Sequence, residues 1–296
     1  MEKRYRWRLK QREVLLGDRT LIMGVLNVTP DSFSDGGQYS DPDRAFARAL
    51  QLEDEGADIL DIGAESTKPG SERITEAEEL RRLIPVLKRL RTQLRIPISV
   101  DTYKSAVAEK ALEHGAEIIN DPSGVLFDLQ LPKVVTKYDA GLIINHMRGR
   151  PETWAKLPPI KDLMRSITID LEAAIHRAAQ GRVQQHQIVI DPGLGFGKRR
   201  EQNAEIIAQI GSLKRFELPI AIGPSRKSFL RKEQEEDTEF ATAGAVAACI
   251  LNGAQIVRVH NVKAMRTVVD VVDTIRQARL AETEVTPTQT RWQRGQ

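Results

Sequence analysis

Polar or charged side chains follow a series of short apolar runs along the chain, each placed where a run ends. One residue of this kind is typical of a capped or hydrogen-bonded loop, whereas a repeated series indicates a ligand site. The series consists of Asn27, Asp61 with Glu65, Asp101, Asn120 with Asp121, His146 with Met147, Asp191, Ser225 to Ser228, and Arg258 with His260.

One group within the series is suited to a flat heterocycle. Asp101, Asn120 and Asp191 offer oxygen acceptors for amino and ring N–H groups. Lys227 adds a donor for a ring nitrogen or a carbonyl oxygen. These residues predict a pocket for a planar, aminated ring.

A second group is suited to a polyanion. Phosphate or pyrophosphate, gathered around a divalent cation, can be bound by Asn27, Lys68, Arg258 and His260. The sequence has no cysteine and histidine cluster with the spacing of a zinc site, and no serine with an evident paired base. The two groups together predict a site that holds an aminated ring beside a leaving anion.

The elements that position these residues alternate between strand and helix. An apolar run from Leu21 to Leu26, typical of a strand buried on both faces, changes into a polar, glycine-rich loop that ends at Gly37. Further strands are predicted at 59–63, 96–100, 117–119, 142–145, 187–190, 218–222 and 256–259. Helices are predicted at 41–57, 75–94, 105–116, 131–139, 160–181 (the longest), 201–216, 240–253 and 262–278.

Eight strand and helix pairs indicate an α/β protein with a parallel sheet closed into a (β/α)₈ or TIM barrel. A doubly wound sheet is the alternative, but it requires a glycine-rich phosphate loop after the first strand, and neither GxGxxG nor GxxxxGK[ST] occurs. Residues 1–280 are predicted to form one domain. Within it, residues 1–20 form a hairpin that caps one barrel end, because basic residues alternate with Tyr5, Trp7 and Leu9. The polar segment 281–296 is predicted to be a flexible, disordered tail.

The amino-acid composition excludes several classes of function. With 44 basic and 41 acidic residues among 296, the net charge of +3 is too balanced to indicate nucleic-acid binding. A mean hydropathy of −0.36 and the lack of a long apolar run predict no membrane helix. The N-terminus has no apolar core of a secretory signal, and one cysteine, Cys249, excludes an internal disulfide. A cytoplasmic protein is expected.

Seven motifs together closely resemble the dihydropteroate synthases and follow the family order over residues 21–278. They are NVTPDSFSDGG (27–37), ESTKPG (65–70), SVDT (99–102), IIND (118–121), DPGLGFGK (191–198), SRKS (225–228) and RVH (258–260). The resemblance implies a transferase of folate biosynthesis. It would condense 6-hydroxymethyl-7,8-dihydropterin pyrophosphate with 4-aminobenzoate to give 7,8-dihydropteroate and pyrophosphate.

The same resemblance implies roles for individual residues. The pterin would be held by Asp101, Asn120, Asp191 and Lys227, lined by Phe196 and Gly223, and covered by Arg258. Asn27 would bind Mg²⁺ through the pyrophosphate, and His260 with Arg258 would contact the leaving group. The aminobenzoate would be framed by Phe33, Thr67, Pro69 and Ser228, and Lys68 would join the substrate-binding residues by orienting the loop or the pyrophosphate. The catalytic residues would be Asp101, Lys227, Arg258 and His260.

An SN1-like path fits these residues, because a methylene cation conjugated to an electron-rich pterin requires no enzyme nucleophile. Cationic residues would stabilise the departing pyrophosphate, and buried carboxylates would oppose the positive charge of the ring. The loops at 29–40 and 64–74 are expected to close over the intermediate and exclude water.

Two positions depart from the family pattern. Lys68 stands where the family usually has arginine, which keeps the charge but loses the bidentate fork. Pro122 stands where an aliphatic residue commonly lines the pterin pocket. Because no insertion after SRKS is apparent, sulfonamide binding is predicted.

Two other functions stay open from the sequence alone. A methyltransferase acting on methyltetrahydrofolate shares the barrel and the acidic pterin residues, but it has no need of SRKS, RVH or the SDGG loop. A non-catalytic pterin-binding paralogue is hinted at by Lys68 and opposed by the presence of Asn27, Lys227, Arg258 and His260.

The resemblance also implies a homodimer. The residues that would form its face are Ile206, Ile207, Ile210, Ala245, Ala248 and Ile250. Packing of the same side chains on the barrel is the alternative.

Overall fold

A two-stranded antiparallel hairpin lies at the start of the computed structural model, which describes residues 3–29, 42–66 and 70–284. Its strands are β1 (Tyr5–Arg8) and β2 (Glu13–Leu16), with Trp7 opposite Val14. Trp7 and Leu9 are buried beneath the barrel, and the Trp7 indole donates to the Gln187 carbonyl at 2.8 Å. The predicted capping hairpin is confirmed.

Eight parallel strands follow among the described residues and form one sheet. They are β3 (Leu21–Asn27), β4 (Ile59–Gly63), β5 (Ile98–Asp101), β6 (Ile118–Asp121), β7 (Gly141–Asn145), β8 (Ile188–Asp191), β9 (Ala221–Ile222) and β10 (Ile256–Val259). Their spatial order is β8-β7-β6-β5-β4-β3-β10-β9, and a parallel bridge from Ile190 to Ile220 joins the two ends. The predicted (β/α)₈ barrel is confirmed.

Eight α-helices surround the described part of the sheet. They are α1 (Pro42–Asp54), α2 (Glu76–Leu90), α3 (Ser105–Glu113), α4 (Leu131–Lys137), α5 (Leu163–Gln180), α6 (Arg200–Gln209), α7 (Glu235–Leu251) and α8 (Val262–Glu284). Short 3₁₀ helices occur at Pro151–Lys156, Gln185–Gln187 and Ile210–Phe216. None of these helices is both long and apolar enough to span a membrane.

Local sequence signals explain several helix ends. The Thr75 hydroxyl accepts from the Glu78 amide at 3.2 Å and caps α2. Three glycines that precede strands, Gly56, Gly115 and Gly253, have φ of 99°, 107° and 112°, a conformation that side chains disfavour. The alanine after each of these glycines is buried. The predicted left-handed helix ends are therefore present.

The core has two layers. One lies between the strands and the surrounding helices and includes Cys249, which is fully buried. The other fills the barrel bottom, where Trp7, Leu9 and Leu16 of the hairpin meet the first residues of the strands. The six apolar residues proposed for a dimer face belong to or pack against the first layer. Those side chains therefore pack on the barrel, and the dimer stays a prediction.

Some element boundaries differ from the sequence-based prediction. α8, with 23 residues, is longer than α5, with 18, and it extends to Glu284. The predicted start of the tail at residue 281 was therefore too early, and 285–296 lie outside the described residues. α7 begins at Glu235 rather than 240, because Glu235, Glu236 and Asp237 favour its N-terminal turn.

Candidate active site

Strand register places several polar residues at one level of the barrel. Asn27 pairs with Gly63, Gly63 with Asp101, and Asp101 with Asn120, across four neighbouring strands. Neighbouring strands lie about 4.8 Å apart, so these residues share one end of the barrel. That end is the carboxyl end, where barrels of this kind carry their ligand sites.

Arg258 crosses this end of the barrel and joins two carboxylates. Its Nε donates to Asp61 Oδ2 at 2.6 Å, and a terminal nitrogen donates to Asp101 Oδ2 at 2.8 Å. Asn120 Nδ2 also donates to Asp61 Oδ2, at 3.3 Å. Asp61 is fully buried, and its Oδ1 has no hydrogen-bond partner among the described residues. Asp61 therefore accepts hydrogen bonds from both the Arg258 guanidinium and the Asn120 amide and orients the two groups.

Burial shifts the protonation of this cluster. It raises the pKa of Asp101 to about 7, helped by the nearby Asp61 charge and opposed by Arg258. Burial also lowers the pKa of Lys227 to about 8, and the Arg258 charge lowers it further. Arg258 itself keeps its charge: burial lowers its pKa, but Asp61 and Asp101 raise it more. The site thus holds groups that titrate near neutrality.

Asp191, the last residue of β8, lies on the far side of this cluster. Its Oδ1 accepts from the Gly193 amide at 2.7 Å, and burial raises its pKa to about 6. Gly193 has φ of 71°, and a Cβ there would lie 1.9 Å from the His146 carbonyl oxygen. Lys198 donates to that same oxygen at 2.9 Å and to the Pro192 carbonyl at 2.9 Å. The DPGLGFGK motif therefore builds a rigid loop behind Asp191.

Phe196 supplies an apolar wall. Its ring packs edge-on against Trp154 at 5.4 Å and forms a small cluster with Met147. The Lys227 ammonium lies 4.3 Å from the Phe196 ring centroid. Gly223 lies under Arg258, whose Cβ is 3.6 Å from where a Gly223 Cβ would be.

The stem of the loop after β4 is held by a buried ionic cluster. Glu65 accepts from Lys104 Nζ at 2.6 Å, from Tyr103 at 2.9 Å and from the Ile74 amide at 3.2 Å. Lys104 also donates to Glu79 at 2.5 Å and to the Ile74 carbonyl at 2.9 Å. Both ends of segment 65–74 are thus fixed to the start of α3.

Most of the predicted site residues come together. Asn27, Asp101, Asn120, Asp191, Phe196, Gly223, Lys227, Arg258 and His260 lie at or beside the carboxyl end of the barrel. Ser228 is exposed on the loop after β9. Phe33, Thr67, Lys68 and Pro69 lie outside the described residues. The roles assigned to these residues stay predictions.

Two further residues at strand ends, Asp121 and His146, form hydrogen bonds that stabilise the fold. Asp121 accepts from the Ser123 and Val125 amides at 2.7 and 2.6 Å and so closes a turn. His146 is buried with Nε2 3.0 Å from Asp170, and burial lowers its pKa to about 4. For Asp61, in contrast, the sequence predicts only a polar residue near a strand end, whereas the structure places it at the base of the site. Its alternation with Ile62 and Leu60 in a buried strand was the signal that it points inward.

Comparison with known proteins agrees with this geometry. A sequence model of the family described as pterin binding enzyme matches residues 23–260. A dihydropteroate synthase from Synechocystis is 41% identical over 263 residues, which cover 88% of this chain and 91% of that protein.

Solved structures give the same result. Dihydropteroate synthase from Clostridium difficile, crystallised in the presence of pteroic acid, has a TM-score of 0.82 and 42% identity, covering 88% of this chain and 98% of that one. The Xanthomonas albilineans enzyme with 4-aminobenzoic acid has a TM-score of 0.83 and 36% identity, covering 93% and 98%. The fold and the site therefore define a pterin-binding enzyme, and the chain belongs to that family. Within it, the relatives place the chain among the dihydropteroate synthases, as its motifs predicted.

Proposed function

We propose that this chain condenses 6-hydroxymethyl-7,8-dihydropterin pyrophosphate with 4-aminobenzoate, releasing 7,8-dihydropteroate and pyrophosphate. One observation carries the proposal. Arg258 bridges the buried carboxylate of Asp61 and the largely buried one of Asp101 at the barrel end, and it lies near the Lys227 ammonium. Acceptors for an aminated ring and cations for a leaving anion are therefore present side by side.

The pterin ring would bind across this cluster. Asp101, Asn120 and Asp191 accept its N–H groups, and Lys227 donates to a ring acceptor. Phe196 packs against one face of the ring. Arg258 must release part of its contact with Asp101 when the ring arrives, because both groups compete for the same carboxylate oxygens.

Cleavage of the carbon–oxygen bond then sends its electron pair to pyrophosphate and leaves a methylene cation on the pterin. Arg258 and His260 bind the departing anion, and Asp101 opposes the charge that develops on the ring. The amine of 4-aminobenzoate forms the new carbon–nitrogen bond and loses a proton. No protein nucleophile takes part.

Asn27 is the residue proposed to hold Mg²⁺. Among the described residues, no group of three or more His, Cys, Asp and Glu side chains could hold a metal ion alone. A single amide oxygen at the barrel end fits Mg²⁺ nonetheless, because this ion commonly takes its other ligands from substrate phosphates and water. Bound there, Mg²⁺ would supply positive charge to the leaving pyrophosphate.

Two further properties are proposed together with this activity, a homodimer and a reducing compartment. A homodimer is supported by exposed apolar side chains on α7 and α8, with Phe240 67% and Val271 56% exposed. Work in a reducing compartment such as the cytoplasm is supported by the single, buried thiol of Cys249.

The decisive experiment measures pyrophosphate release from dihydropterin pyrophosphate with Mg²⁺, with and without 4-aminobenzoate. Release that depends on the amine, with dihydropteroate formed, supports the synthase. Pterin binding without turnover, in both the natural chain and Lys68→Arg, would overturn it in favour of a non-catalytic paralogue. Higher activity of Lys68→Arg would show that the bidentate hydrogen bonds of an arginine, which lysine cannot form, contribute to activity. Competition between a sulfonamide and 4-aminobenzoate tests the predicted inhibitor binding.

A further inference from the structure

Ser225 and His260 meet at the ends of neighbouring strands. Ser225 lies on the loop after β9 and is 4% exposed, and His260 follows β10. Ser225 Oγ is 3.0 Å from His260 Nδ1. The same oxygen accepts from the His260 backbone amide at 3.3 Å. One hydroxyl thus contacts both the ring and the backbone of this histidine.

These two contacts determine where the hydroxyl proton goes. The backbone N–H of His260 can only donate, so Ser225 Oγ accepts there. The hydroxyl has one proton of its own, and its one further partner among the described residues is Nδ1 of the ring. A buried hydroxyl that leaves its proton without an acceptor loses free energy. The proton therefore points at Nδ1, which must be the unprotonated nitrogen.

The neutral imidazole then carries its proton on Nε2. This nitrogen lies on the other edge of the ring and faces away from Ser225. It is a hydrogen-bond donor, which is the form that an anion requires. With Nδ1 protonated instead, the ring would present a lone pair at Nε2 and repel the anion.

We propose that Ser225 is a positioning residue that fixes the Nε2–H tautomer of His260, so that the ring donates to the leaving pyrophosphate. The role toward pyrophosphate rests on the proposed function, whereas the tautomer does not. The backbone contact adds to the effect, because it holds the histidine against the serine. The Arg48 guanidinium, 3.3 Å from the His260 carbonyl, holds the other side of the same backbone.

The first test reads the tautomer directly by nitrogen NMR of the full chain with ¹⁵N-labelled histidine. The pH should lie about two units above the ordinary histidine pKa of about 6.5, so that neutral rings are compared. The chain has five histidines, and a His260→Gln variant assigns the signal. Because a neutral histidine ring already favours Nε2–H in water, the informative quantity is the share of the Nδ1–H form. We expect that share to be negligible in the natural chain, to become measurable in Ser225→Ala, and to vanish again in Ser225→Thr. A protonated Nδ1 in the natural chain, or the same share in Ser225→Ala, would overturn the proposal.

The second test measures inhibition by pyrophosphate. We expect Ser225→Ala to weaken it about two- to tenfold, the range for one lost hydrogen bond, and Ser225→Thr to restore it. Ser166→Ala on α5, which removes a half-buried hydroxyl remote from His260 in sequence, is the matched control and should leave both readouts unchanged. If the natural chain forms no dihydropteroate, the proposed function fails, and the NMR result still decides the tautomer. Equal inhibition of Ser225→Ala and the natural chain would overturn the role toward pyrophosphate.

Discussion

At the scale of single residues, the site depends on how buried charges are paired. Asp61 has no exposed surface, and within the described ranges it accepts from Arg258 and Asn120, both predicted to contact the pterin. A carboxylate in this position orients other groups rather than touching substrate. Its contribution to catalysis should therefore pass through Arg258.

A double-mutant cycle tests that dependence. Asp61→Asn removes a charge-assisted contact worth about 1.5–3 kcal/mol, so kcat/KM for dihydropterin pyrophosphate should fall about 10- to 150-fold. In an Arg258→Ala background the same change should cost much less, because only the longer contact with Asn120 remains. Asp273→Asn is the matched control, since Asp273 is also a buried carboxylate paired with an arginine, Arg276, at 3.0 Å. Additive effects of Asp61→Asn and Arg258→Ala would contradict the prediction.

The pH dependence of activity is also determined at this scale. Asp101 must be ionised to accept from the ring, and its pKa of about 7 predicts that kcat/KM falls as the pH drops below that value. Lys227 must be protonated to donate, and its pKa of about 8 predicts a second fall above that pH. The profile should therefore be a narrow bell.

Matched variants assign the two limbs. Residual activity of Asp101→Asn should lack the acidic limb, and Lys227→Arg should extend activity to higher pH, because arginine stays charged. A flat profile between pH 6 and pH 9 in the natural chain would show that neither group titrates during turnover.

At the scale of elements, a buried ionic cluster holds both ends of the loop after β4. Glu65 at one end and Ile74 at the other are bound by Lys104, whose side chain is 10% exposed. Lys104 keeps its charge within this cluster, although burial disfavours the charged form of its partner Glu79. Burial raises the pKa of Glu79, and the Glu65 and Glu79 contacts raise the pKa of Lys104 despite its burial. This cluster fixes Glu65 and Ile74, the two ends of the loop, against the start of α3.

Loosening that stem should affect the amine substrate more than the pterin. Glu65→Gln keeps the size of the side chain but weakens its bonds to Lys104, so the KM for 4-aminobenzoate should rise by about tenfold, equivalent to about 1.4 kcal/mol. The pterin dissociation constant should stay within about twofold. Glu76→Gln, an exposed glutamate on the first turn of α2, is the control. Equal losses for both substrates would indicate a general structural effect.

At the scale of the whole molecule, the barrel bottom is closed by the hairpin. Trp7 is 1% exposed and contacts the core formed by the first residues of the strands. Trp7→Ala should lower the free energy of unfolding by about 3–5 kcal/mol, because it empties a buried site. Leu15→Ala on β2 removes a side chain that is 61% exposed and should change stability by less than about 0.5 kcal/mol. Chemical denaturation followed by fluorescence or circular dichroism measures both.

The outer surface of α7 and α8 provides the test of assembly. Phe240, 67% exposed, is the largest exposed apolar side chain on these helices. If this face covers a second copy, Phe240→Glu should shift the chain toward monomer in sedimentation experiments. Val271→Ala should cause a smaller shift. A monomeric natural chain would contradict the dimer prediction.

The sequence by itself determined the local features. Alternating apolar runs and amphipathic segments specify strands and helices, and residues such as Thr75 and Gly56 specify where helices begin and end. Because the eight strands β3 to β10 are parallel, the polar residues at their carboxyl ends lie at one end of the barrel. The candidate site therefore follows from short-range patterns and from the motifs that carry the family resemblance.

Only the tertiary structure decided how these residues pair. Arg258 contacts Asp61 across 197 residues of sequence and Asp101 across 157, and no local pattern encodes which carboxylate a guanidinium will reach. Barrel closure and strand register bring these groups within hydrogen-bond distance, and burial then shifts their pKa values. The same packing gave His146 its partner Asp170 and gave Ser225 the Nδ1 edge of His260 as its neighbour. Pairing and protonation depend on distances between remote segments, which exist only once the barrel has closed.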